Sequence, residues 1–188
     1  MPLIKFVCGE TGIQFDLSID KVDGFMQLKY VEKMIKSYPE FKYLVFLFKC
    51  MLKIRSLAET YTGGVGSFLL SCMILIYLYE THRSKKYYTL SEHVIKFMQF
   101  YGETDWSNKV IYGKEGIIGE KPREIGSFSF ISPQDDSHDI GKAAFKIKDV
   151  FNLFRNRGRY LTGKNFEPRE SILKALINPN NEAFKYGD

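Results

Sequence analysis

The sequence predicts a mainly α fold with a small β part. An N-terminal stretch alternates apolar and polar residues as a β-hairpin does, and most of the remaining chain carries the period of amphipathic or buried helices. The chain has 188 residues, of which 45% are hydrophobic. It is therefore long enough to bury a sizeable core, either as one domain or as two small lobes that share a core.

The first twenty residues predict the hairpin. Two β-prone stretches, Leu3–Cys8 and Ile13–Ile19, flank a Gly-Glu-Thr-Gly turn. In the second stretch apolar and polar residues alternate strictly, and the apolar ones are Ile13, Phe15, Leu17 and Ile19. We expect these four side chains to face the core and the polar ones to lie on an open face.

Helical periodicity begins at Asp23, where a stripe of apolar residues, Phe25, Leu28, Val31 and Ile35, runs up to Pro39. Further helices are predicted over about 40–56, 67–79, 90–102, 141–161 and 171–177. The second of these six helices is apolar over most of its circumference, as a central helix is. Thr89 and Glu92 are spaced as a capping box at the start of the fourth. An irregular loop or short hairpin is predicted over 103–123, and a strand over 127–131.

Composition excludes several classes of protein. No apolar run reaches the roughly 18–20 residues that span a bilayer, and the N-terminus lacks the regions of a signal peptide. The three cysteines lie far apart without a CxxC pair, so we expect neither a disulfide scaffold nor a zinc site, and an intracellular location. The net charge of +5 permits a nucleic acid or nucleotide partner without requiring one.

Asp16 carries the carboxylate in the middle of the second predicted strand. On an open sheet face such a carboxylate is commonly just solvated. A rigid strand also holds a metal ligand or a general base well. The residue alone does not decide between these two interpretations.

Two lysines share one face of the second predicted helix. Lys49 and Lys53 stand four residues apart, and Lys42 lies seven residues before Lys49. A solvated edge is the ordinary role of such lysines. Because adjacent ammonium groups repel each other, a bound polyanion such as a triphosphate would also favour the arrangement.

The segment Gly63-Gly64-Val65-Gly66-Ser67 precedes the most apolar predicted helix. Free N–H groups at a helix start, the helix dipole and the Ser67 hydroxyl all favour an anion there, although glycine before a helix is commonly only a turn. No Gly-Lys-Ser/Thr follows, so this is not a P-loop. Phe68 is either a core side chain or a ring that stacks on a base.

An ordered set of short motifs then points to one family. It includes Thr11-Gly12-Ile13-Gln14-Phe15-Asp16-Leu17-Ser18, Tyr61-Thr62-Gly63-Gly64-Val65-Gly66-Ser67-Phe68, Ile131-Ser132-Pro133-Gln134-Asp135 and Asp139-Ile140-Gly141. Over roughly residues 3–162 the sequence resembles the terminal ribonucleotidyltransferases of the DNA polymerase beta superfamily. Within that superfamily it is most similar to the nuclear poly(A) polymerases of the TRAMP type, also called DNA polymerase sigma.

The resemblance implies the end of a nucleotidyltransferase palm sheet, formed by the β-hairpin, followed by a helical central domain that is PAP-associated. We accordingly divide the chain into a palm remnant at 1–20, the central domain with its nucleotide-recognition region at 21–165, and a tail at 166–188. The implied activity is template-independent addition of AMP from ATP to RNA 3′ ends, in nuclear RNA surveillance and processing.

The resemblance also implies the role of each site residue. Asp16 corresponds to the third catalytic carboxylate, which helps to hold two Mg²⁺ or Mn²⁺ ions. The positions matched to nucleotide binding are Lys49, Lys53, Gly66 and Ser67 at the triphosphate, Phe68 at the base ring, and His138 and Asp139 at the base edge. Arg155, Arg157, Arg159 and Lys164 form a basic surface for RNA or a solvated helix end.

Two features depart from the family's pattern. The family's glycine-serine motif and Asp-x-Asp pair lie upstream of the Asp16 position and are not in this sequence, so we expect the polypeptide alone to be inactive. His138 stands where the adenylate-adding branch usually carries asparagine and the uridylate-adding branch carries histidine. We expect ATP as substrate, with UTP as the alternative.

The implied partners are an RNA 3′ end, a zinc-knuckle RNA-binding subunit and a helicase, without a membrane. The implied location is the nucleus, with the cytoplasm as an alternative. Two other readings of the sequence stay open. One is a non-catalytic remnant that binds nucleotide or protein, and the other is a helical adaptor in which the glycine loop and lysines are structural.

Overall fold

A computed structural model describes residues 3–18, 23–121, 128–163, 166 and 171–177. The elements in chain order are β1 (Leu3–Val7), β2 (Gln14–Ser18), α1 (Asp23–Ser37), α2 (Phe41–Lys53), a 3₁₀ turn (Thr60–Thr62), α3 (Ser67–Arg83), α4 (Leu90–Glu103), β3 (Lys109–Tyr112), β4 (Ile117–Glu120), β5 (Ser129–Ile131), α5 (Ile147–Thr162) and α6 (Ile172–Leu176). The predicted fold class, mainly α with a small β part, is confirmed. The division at residues 20 and 165 stays a prediction.

Helix α3 is the centre of the core because it is apolar on every side. Every residue from Leu69 to Leu78 is buried, as expected of a helix surrounded by other elements. Helix α2 packs against α3 through six buried side chains: Phe41, Leu44, Leu47, Phe48, Met51 and Leu52. The prediction that the second helix is central is wrong, because Phe46, Lys49 and Lys53 lie on an exposed face of α2, and the helix buried on every side is α3.

An aromatic cluster joins α2, α4 and α5. The ring centroids of Phe48 and Phe97 lie 4.3 Å apart, and those of Phe97 and Phe154 lie 5.5 Å apart. Tyr101 is fully buried, and its hydroxyl donates a hydrogen bond of 2.9 Å to the carbonyl of Met73 on α3. The buried phenol of Tyr101 therefore has a partner, which avoids the cost of an unsatisfied polar group.

The predicted capping box at the start of α4 is confirmed. The Thr89 hydroxyl accepts a hydrogen bond from the Glu92 N–H at 3.3 Å, and the Glu92 carboxylate accepts one from the Thr89 N–H at 2.7 Å. None of the helices in the described ranges is long and apolar enough to cross a membrane.

The hairpin has formed as predicted, but the prediction of its core face is wrong. Strands β1 and β2 pair antiparallel, with Ile4 opposite Leu17 and Phe6 opposite Phe15. These four side chains are 43–54% exposed, and Ile13 is 54% exposed. The reason is that no element among the described residues covers this face. Ile19 lies outside the described residues.

Helix α1 packs by a different face from the predicted one. Of the predicted stripe, Phe25, Leu28 and Ile35 are exposed, and only Val31 packs against the core. The side chains that do pack are Tyr30, Val31, Met34 and Tyr38. Met34 lies four positions after Tyr30 and three after Val31, and Tyr38 lies four after Met34, so these residues form a stripe next to the predicted one, turned toward α2 and α3.

A three-stranded sheet with the order β4-β3-β5 confirms the predicted hairpin and strand in this region. Strand β3 pairs antiparallel with β4 and parallel with β5.

The predicted helix at 141 begins only at Ile147, because residues 141–146 form turns in which the Lys146 N–H donates to the carbonyl of Gly63 at 2.9 Å. Helix α3 continues beyond Tyr79 to Arg83, since no glycine or proline interrupts it.

Helices α4 and α5 come closest at Gly102. A β-carbon there would lie 2.5 Å from the backbone nitrogen of Arg155, whose guanidinium donates a 2.6 Å hydrogen bond to the Gly102 carbonyl. We expect Gly102→Ala to lower the free energy of unfolding in urea by about 1–3 kcal/mol through overpacking. Gly158→Ala is the matched control, because its nearest atom, Met98 Cβ, is 3.6 Å away and the change raises helix propensity. Equal destabilisation by both would contradict this interpretation.

A buried histidine makes folding sensitive to acid. His93 Nδ1 lies 3.0 Å from the Tyr77 hydroxyl and its Nε2 lies 4.0 Å from the Glu40 carboxylate, which also pairs with His82 at 2.8 Å. The ring also meets Tyr88 edge-on. Burial lowers the pKa of His93 below 6.5, and the attraction of Glu40 only partly offsets this.

Because the unfolded chain binds a proton on His93 near pH 6.5 and the folded chain does not, the folded state loses stability as the pH falls below that value. We expect the free energy of unfolding to fall by up to about 1.4 kcal/mol per pH unit between pH 6.5 and 5.5. His93→Gln removes this titration, so urea denaturation at pH 7.5, 6.5 and 5.5 should show a flatter profile for the variant. Parallel profiles would show that His93 is not the responsible group.

Candidate nucleotide cleft

Four separate segments line one cleft of about 610 Å³. This volume is in the usual range for a small-molecule site. The lining residues are Gln27 of α1, Lys49 and Lys53 of α2, residues 58–60 and 66–69 around the start of α3, and His138, Ile140 and Ala143 after β5. Six predicted nucleotide-binding residues are thus brought together: Lys49, Lys53, Gly66, Ser67, Phe68 and His138.

The two lysines reach the cleft from the solvent side of α2. Both are exposed, one helical turn apart, while Phe48, Met51 and Leu52 on the opposite side of the helix are buried. Burial of these three side chains fixes the rotation of α2 and thereby the direction of the lysines. Lys42, by contrast, does not line the cleft, and its ammonium lies 4.8 Å from the centre of the Tyr43 ring.

The N-terminus of α3 opens into the cleft. Gly66 is its N-cap residue and makes no side-chain cap, and the first helical hydrogen bond runs from the Leu70 N–H to the Gly66 carbonyl at 2.9 Å. The N–H groups of Ser67, Phe68 and Leu69 precede that bond, and all three residues line the cleft. Free N–H groups at a helix N-terminus favour an anion.

Phe68 combines the two roles that the sequence left open. It is half-buried and packs against the core, where its ring meets Tyr30 of α1 edge-on at 6.2 Å. It also lines the cleft. The ring is therefore held in place by the core and still reaches a ligand in the cleft.

The loop after β5 brings His138 to the cleft. The Ser132 N–H donates to the carbonyl of His138 at 2.8 Å, and the His138 N–H donates to the carbonyl of Asp135 at 3.0 Å. The His138 side chain is exposed. The backbone of the loop is therefore fixed by its own hydrogen bonds, while the imidazole is free to meet a ligand.

Asp139 does not line the cleft but organises this loop. Its carboxylate accepts hydrogen bonds from the Ser129 hydroxyl at 2.7 Å, the Phe130 N–H at 3.0 Å and the Gly141 N–H at 2.9 Å. Burial lowers the pKa of Lys121, and the charge of Asp139 opposes that shift. These hydrogen bonds indicate that Asp139 stabilises the loop. Asp139 is not among the described residues that line the cleft, so its contact with the nucleotide stays a prediction.

Asp16 lies in the middle of β2, where its backbone pairs with Lys5 of β1. Its side chain lies outside what the structure describes, so its role as a metal ligand stays a prediction. Within the described part of the chain, no group of three or more His, Cys, Asp or Glu side chains is placed to hold a metal ion. The His, Cys, Asp and Glu side chains among the described residues do not by themselves form a two-metal site.

Sequence reasoning missed Gln27, Glu59 and Thr60, all of which line the cleft. Gln27 lies on α1 and the other two precede the glycine loop. Glu59 brings a negative charge, which favours a ligand hydroxyl or a cation over phosphate at its position. No motif singles out these residues, because their role follows only from the packing of α1 and the turn against α3.

Two other cavities fit a nucleotide less well. A cavity of about 730 Å³ between α2, α4 and α6 is lined largely by apolar side chains such as Phe46, Val94 and Leu173, with Lys174 as its only charged residue. A third, of about 420 Å³, lies between α3 and α4 and carries two glutamates and two lysines, whose charges cancel. Neither concentrates positive charge at a helix N-terminus.

The predicted basic surface on α5 is only partly available. Arg155 is engaged, because its guanidinium donates to the Gly102 carbonyl and to the Asn152 side chain at 3.2 Å. Arg157 is half-buried and Arg159 is exposed. Lys164 lies outside the described residues.

Comparison with known proteins indicates which proteins this chain resembles. No family model matches the chain. Poly(A) RNA polymerase protein 2 of Saccharomyces cerevisiae is 27% identical over 190 residues, which cover 93% of this chain and 32% of that protein. The relatives of this chain are poly(A) RNA polymerases. The family resemblance drawn from the ordered motifs is confirmed.

A further relative is the inactive non-canonical poly(A) RNA polymerase protein Trf4-2 of Drosophila melanogaster. It is 28% identical over 174 residues, which cover 82% of this chain and 42% of that protein. The chain thus spans about one third to two fifths of the length of these polymerases. It is consequently similar to one part of them.

The fold is similar to that of the polymerase core of TRAMP, an RNA surveillance complex. The superposition has a TM-score of 0.80 at 24% identity and covers 94% of this chain and 62% of that chain. The likeness therefore extends over nearly the whole chain and includes both the hairpin and the helices. The fold predicted from the resemblance is confirmed.

The geometry of the cleft predicts that ATP binding depends on Lys49 and Lys53. We expect Lys49→Ala and Lys53→Ala each to weaken ATP binding at least about tenfold, because each removes a charge-assisted hydrogen bond to the triphosphate. Isothermal titration calorimetry measures the dissociation constant. Lys42→Ala is the matched control, since it removes the same charge from the same helix outside the cleft. Equal losses in all three variants would indicate non-specific attraction.

Proposed function

We propose that this chain is the nucleotide-recognition part of a template-independent RNA 3′-end adenylyltransferase, a poly(A) polymerase that uses ATP. One observation carries the proposal. Six of the eight residues predicted from the sequence line a single cleft, although they come from three separate segments of the chain. A helical adaptor would have no reason to bring two lysines, a helix N-terminus and an aromatic ring into one place.

The geometry supports one orientation of ATP. The triphosphate lies between Lys49, Lys53 and the first turn of α3, where positive charge and free N–H groups are concentrated. The adenine lies against the ring of Phe68. The base edge then meets the loop that carries His138. The negative charge of Glu59 keeps the phosphates at the lysine side of the cleft.

In the proposed reaction the 3′-hydroxyl of RNA attacks the α-phosphorus of ATP, which joins AMP to the RNA and releases pyrophosphate. The residues of this chain hold the triphosphate and orient the base, and such positioning contributes a large share of the rate in phosphoryl transfer. Mg²⁺ or Mn²⁺ would supply charge stabilisation at the reacting phosphate. Asp16 is the proposed metal-ligating position of this chain.

UTP is the alternative substrate, and a specific observation favours it. His138 lines the cleft, and its ring nitrogens can each serve as donor or acceptor to a pyrimidine edge. The resemblance associates this histidine with uridylate addition. ATP remains the proposed substrate because relatives of this chain are poly(A) RNA polymerases.

A non-catalytic role is the second alternative. One relative is itself an inactive poly(A) RNA polymerase, and the described residues do not form a two-metal site. The expectation that the polypeptide alone is inactive stays a prediction. In this alternative the cleft still binds nucleotide but no transfer follows.

The proposed setting is nuclear RNA surveillance, with the cytoplasm as an alternative location. The proposed partners are the RNA 3′ end, a zinc-knuckle RNA-binding subunit and a helicase, as in a TRAMP-type complex. Support comes from the similarity of the fold to the polymerase core of TRAMP.

Base selection tests the proposed function directly. We expect the unaltered chain to bind ATP more tightly than UTP, measured as dissociation constants for ATP, UTP, GTP and CTP. His138→Asn should increase the ratio of the UTP dissociation constant to the ATP dissociation constant about fivefold, which corresponds to the free energy of one exchanged hydrogen bond. His82→Asn is the control, because His82 lies outside the cleft. Tighter UTP binding by the unaltered chain would establish the uridylate alternative, and no nucleotide binding would contradict both.

A further inference from the structure

Two exposed aromatic residues neighbour cleft-lining residues along the chain. Tyr61 is 96% exposed and Phe145 is 70% exposed. Thr60, directly before Tyr61, and Ala143, two residues before Phe145, both line the cleft. Large apolar side chains that stay exposed beside a cleft commonly mark binding sites.

Phe145 is exposed but fixed in position. Gly63 has a φ of +83°, and a β-carbon at Gly63 would collide with the Phe145 ring. The next residue, Lys146, donates its backbone N–H to the Gly63 carbonyl at 2.9 Å. The ring therefore packs one face on the glycine backbone and leaves the remainder open to solvent.

Exposed lysines flank Phe145 in the sequence. Lys142, Lys146 and Lys148 are all exposed, and Phe145 lies between the first two. Among the described residues none of the three has an ion-pair partner within 4.0 Å. The segment from 142 to 149 contains three lysines and one acidic residue, Asp149, and therefore carries a net positive charge.

We propose that Tyr61, Phe145 and the three lysines form a stacking platform for the terminal nucleotides of a single-stranded RNA. Aromatic rings that stack on bases beside cations that meet phosphates are the two features shared by single-strand binding surfaces. The platform adjoins the cleft, so RNA on it would have its 3′ end near the bound nucleotide. This inference rests on the proposed function, because that function gives the cleft its nucleotide.

RNA explains the surface better than a protein partner does. A protein partner would have to bury the three ammonium groups or supply three carboxylates to pair with them. An RNA strand carries one negative charge on each successive phosphate and therefore matches the lysines without further groups. The ring fixed on Gly63 pre-organises one stacking face, which lowers the entropy lost on binding. A protein partner is therefore an outcome of the test and not the proposal.

The test measures binding of a fluorescein-labelled 15-nucleotide oligo(A) RNA by fluorescence anisotropy. We expect Phe145→Leu and Tyr61→Leu each to weaken binding at least about fivefold, as the loss of a base–aromatic stack does. Phe145→Trp should retain the affinity, since indole also stacks. Tyr87→Leu is the matched control, because Tyr87 is 94% exposed on the connector between α3 and α4 and does not line the cleft.

Salt dependence separates stacking from charge. Lys146→Ala should reduce the slope of log affinity against log salt by about 0.7, the value for one phosphate contact on a single strand. Phe145→Leu should leave that slope unchanged. A loss of slope in Phe145→Leu comparable to that of Lys146→Ala would overturn the stacking role.

The two failures are distinguishable. If ATP binds but RNA binds equally to the unaltered chain, Phe145→Leu, Tyr61→Leu and Tyr87→Leu, the platform is wrong and the proposed nucleotide cleft stands. If neither ATP nor RNA binds, the proposed function fails and the platform fails with it. Tyr61→Leu keeps the test decisive even if Phe145→Leu unfolds, because a side chain that is 96% exposed contributes little to the core.

Discussion

The contact between Gly63 and the segment at Phe145–Lys146 is the constraint on which the cleft depends. Gly63 ends the turn that leads into α3, and its carbonyl also accepts the Lys146 N–H at 2.9 Å. This single residue therefore links the N-terminus of α3 to the chain that follows the His138 loop. Any side chain at Gly63 would displace the Phe145 ring and would strain the backbone, whose φ is +83°. Helix α2 packs against the buried helix α3, and this packing directs Lys49 and Lys53 into the same cleft.

The hairpin is supported much less than the helices. A two-stranded sheet is marginally stable by itself, and the apolar face of this one is about half exposed. Asp16 lies on that hairpin, so the residue proposed to ligate a metal stands on a two-stranded sheet with an apolar face that the described helices leave open. The nucleotide-binding residues, in contrast, stand on α2, on α3 and on a loop fixed by the Asp139 carboxylate. Nucleotide binding and metal binding therefore depend on parts of the molecule with different local stability.

Much of this architecture could be predicted, because local signals and core periodicity agree in the helices. The capping box at Thr89 and the apolar period of α3 each indicate one structure, and the structure confirms both. The face of α1 could not be predicted, since Tyr30 and Met34 are no more apolar than Leu28 and only the tertiary packing selects them. The start of α5 at Ile147 depends on a hydrogen bond to a residue more than eighty positions earlier. For the same reason Glu59 and Gln27 carry no local signal of their place in the cleft, whereas Lys49, Ser67 and Phe68 were found through an ordered resemblance.

The central claim is that ATP binds where α3 begins, between the lysines of α2 and the loop of His138. Photolabelling with 8-azido-ATP, followed by peptide mapping with mass spectrometry, tests it most directly. We expect adducts confined to the peptides that carry residues 58–69 and 138–143, and we expect an excess of ATP to suppress them. Adducts on α4, on α6 or on the connector between α3 and α4, or labelling that excess ATP does not reduce, would contradict the proposed site.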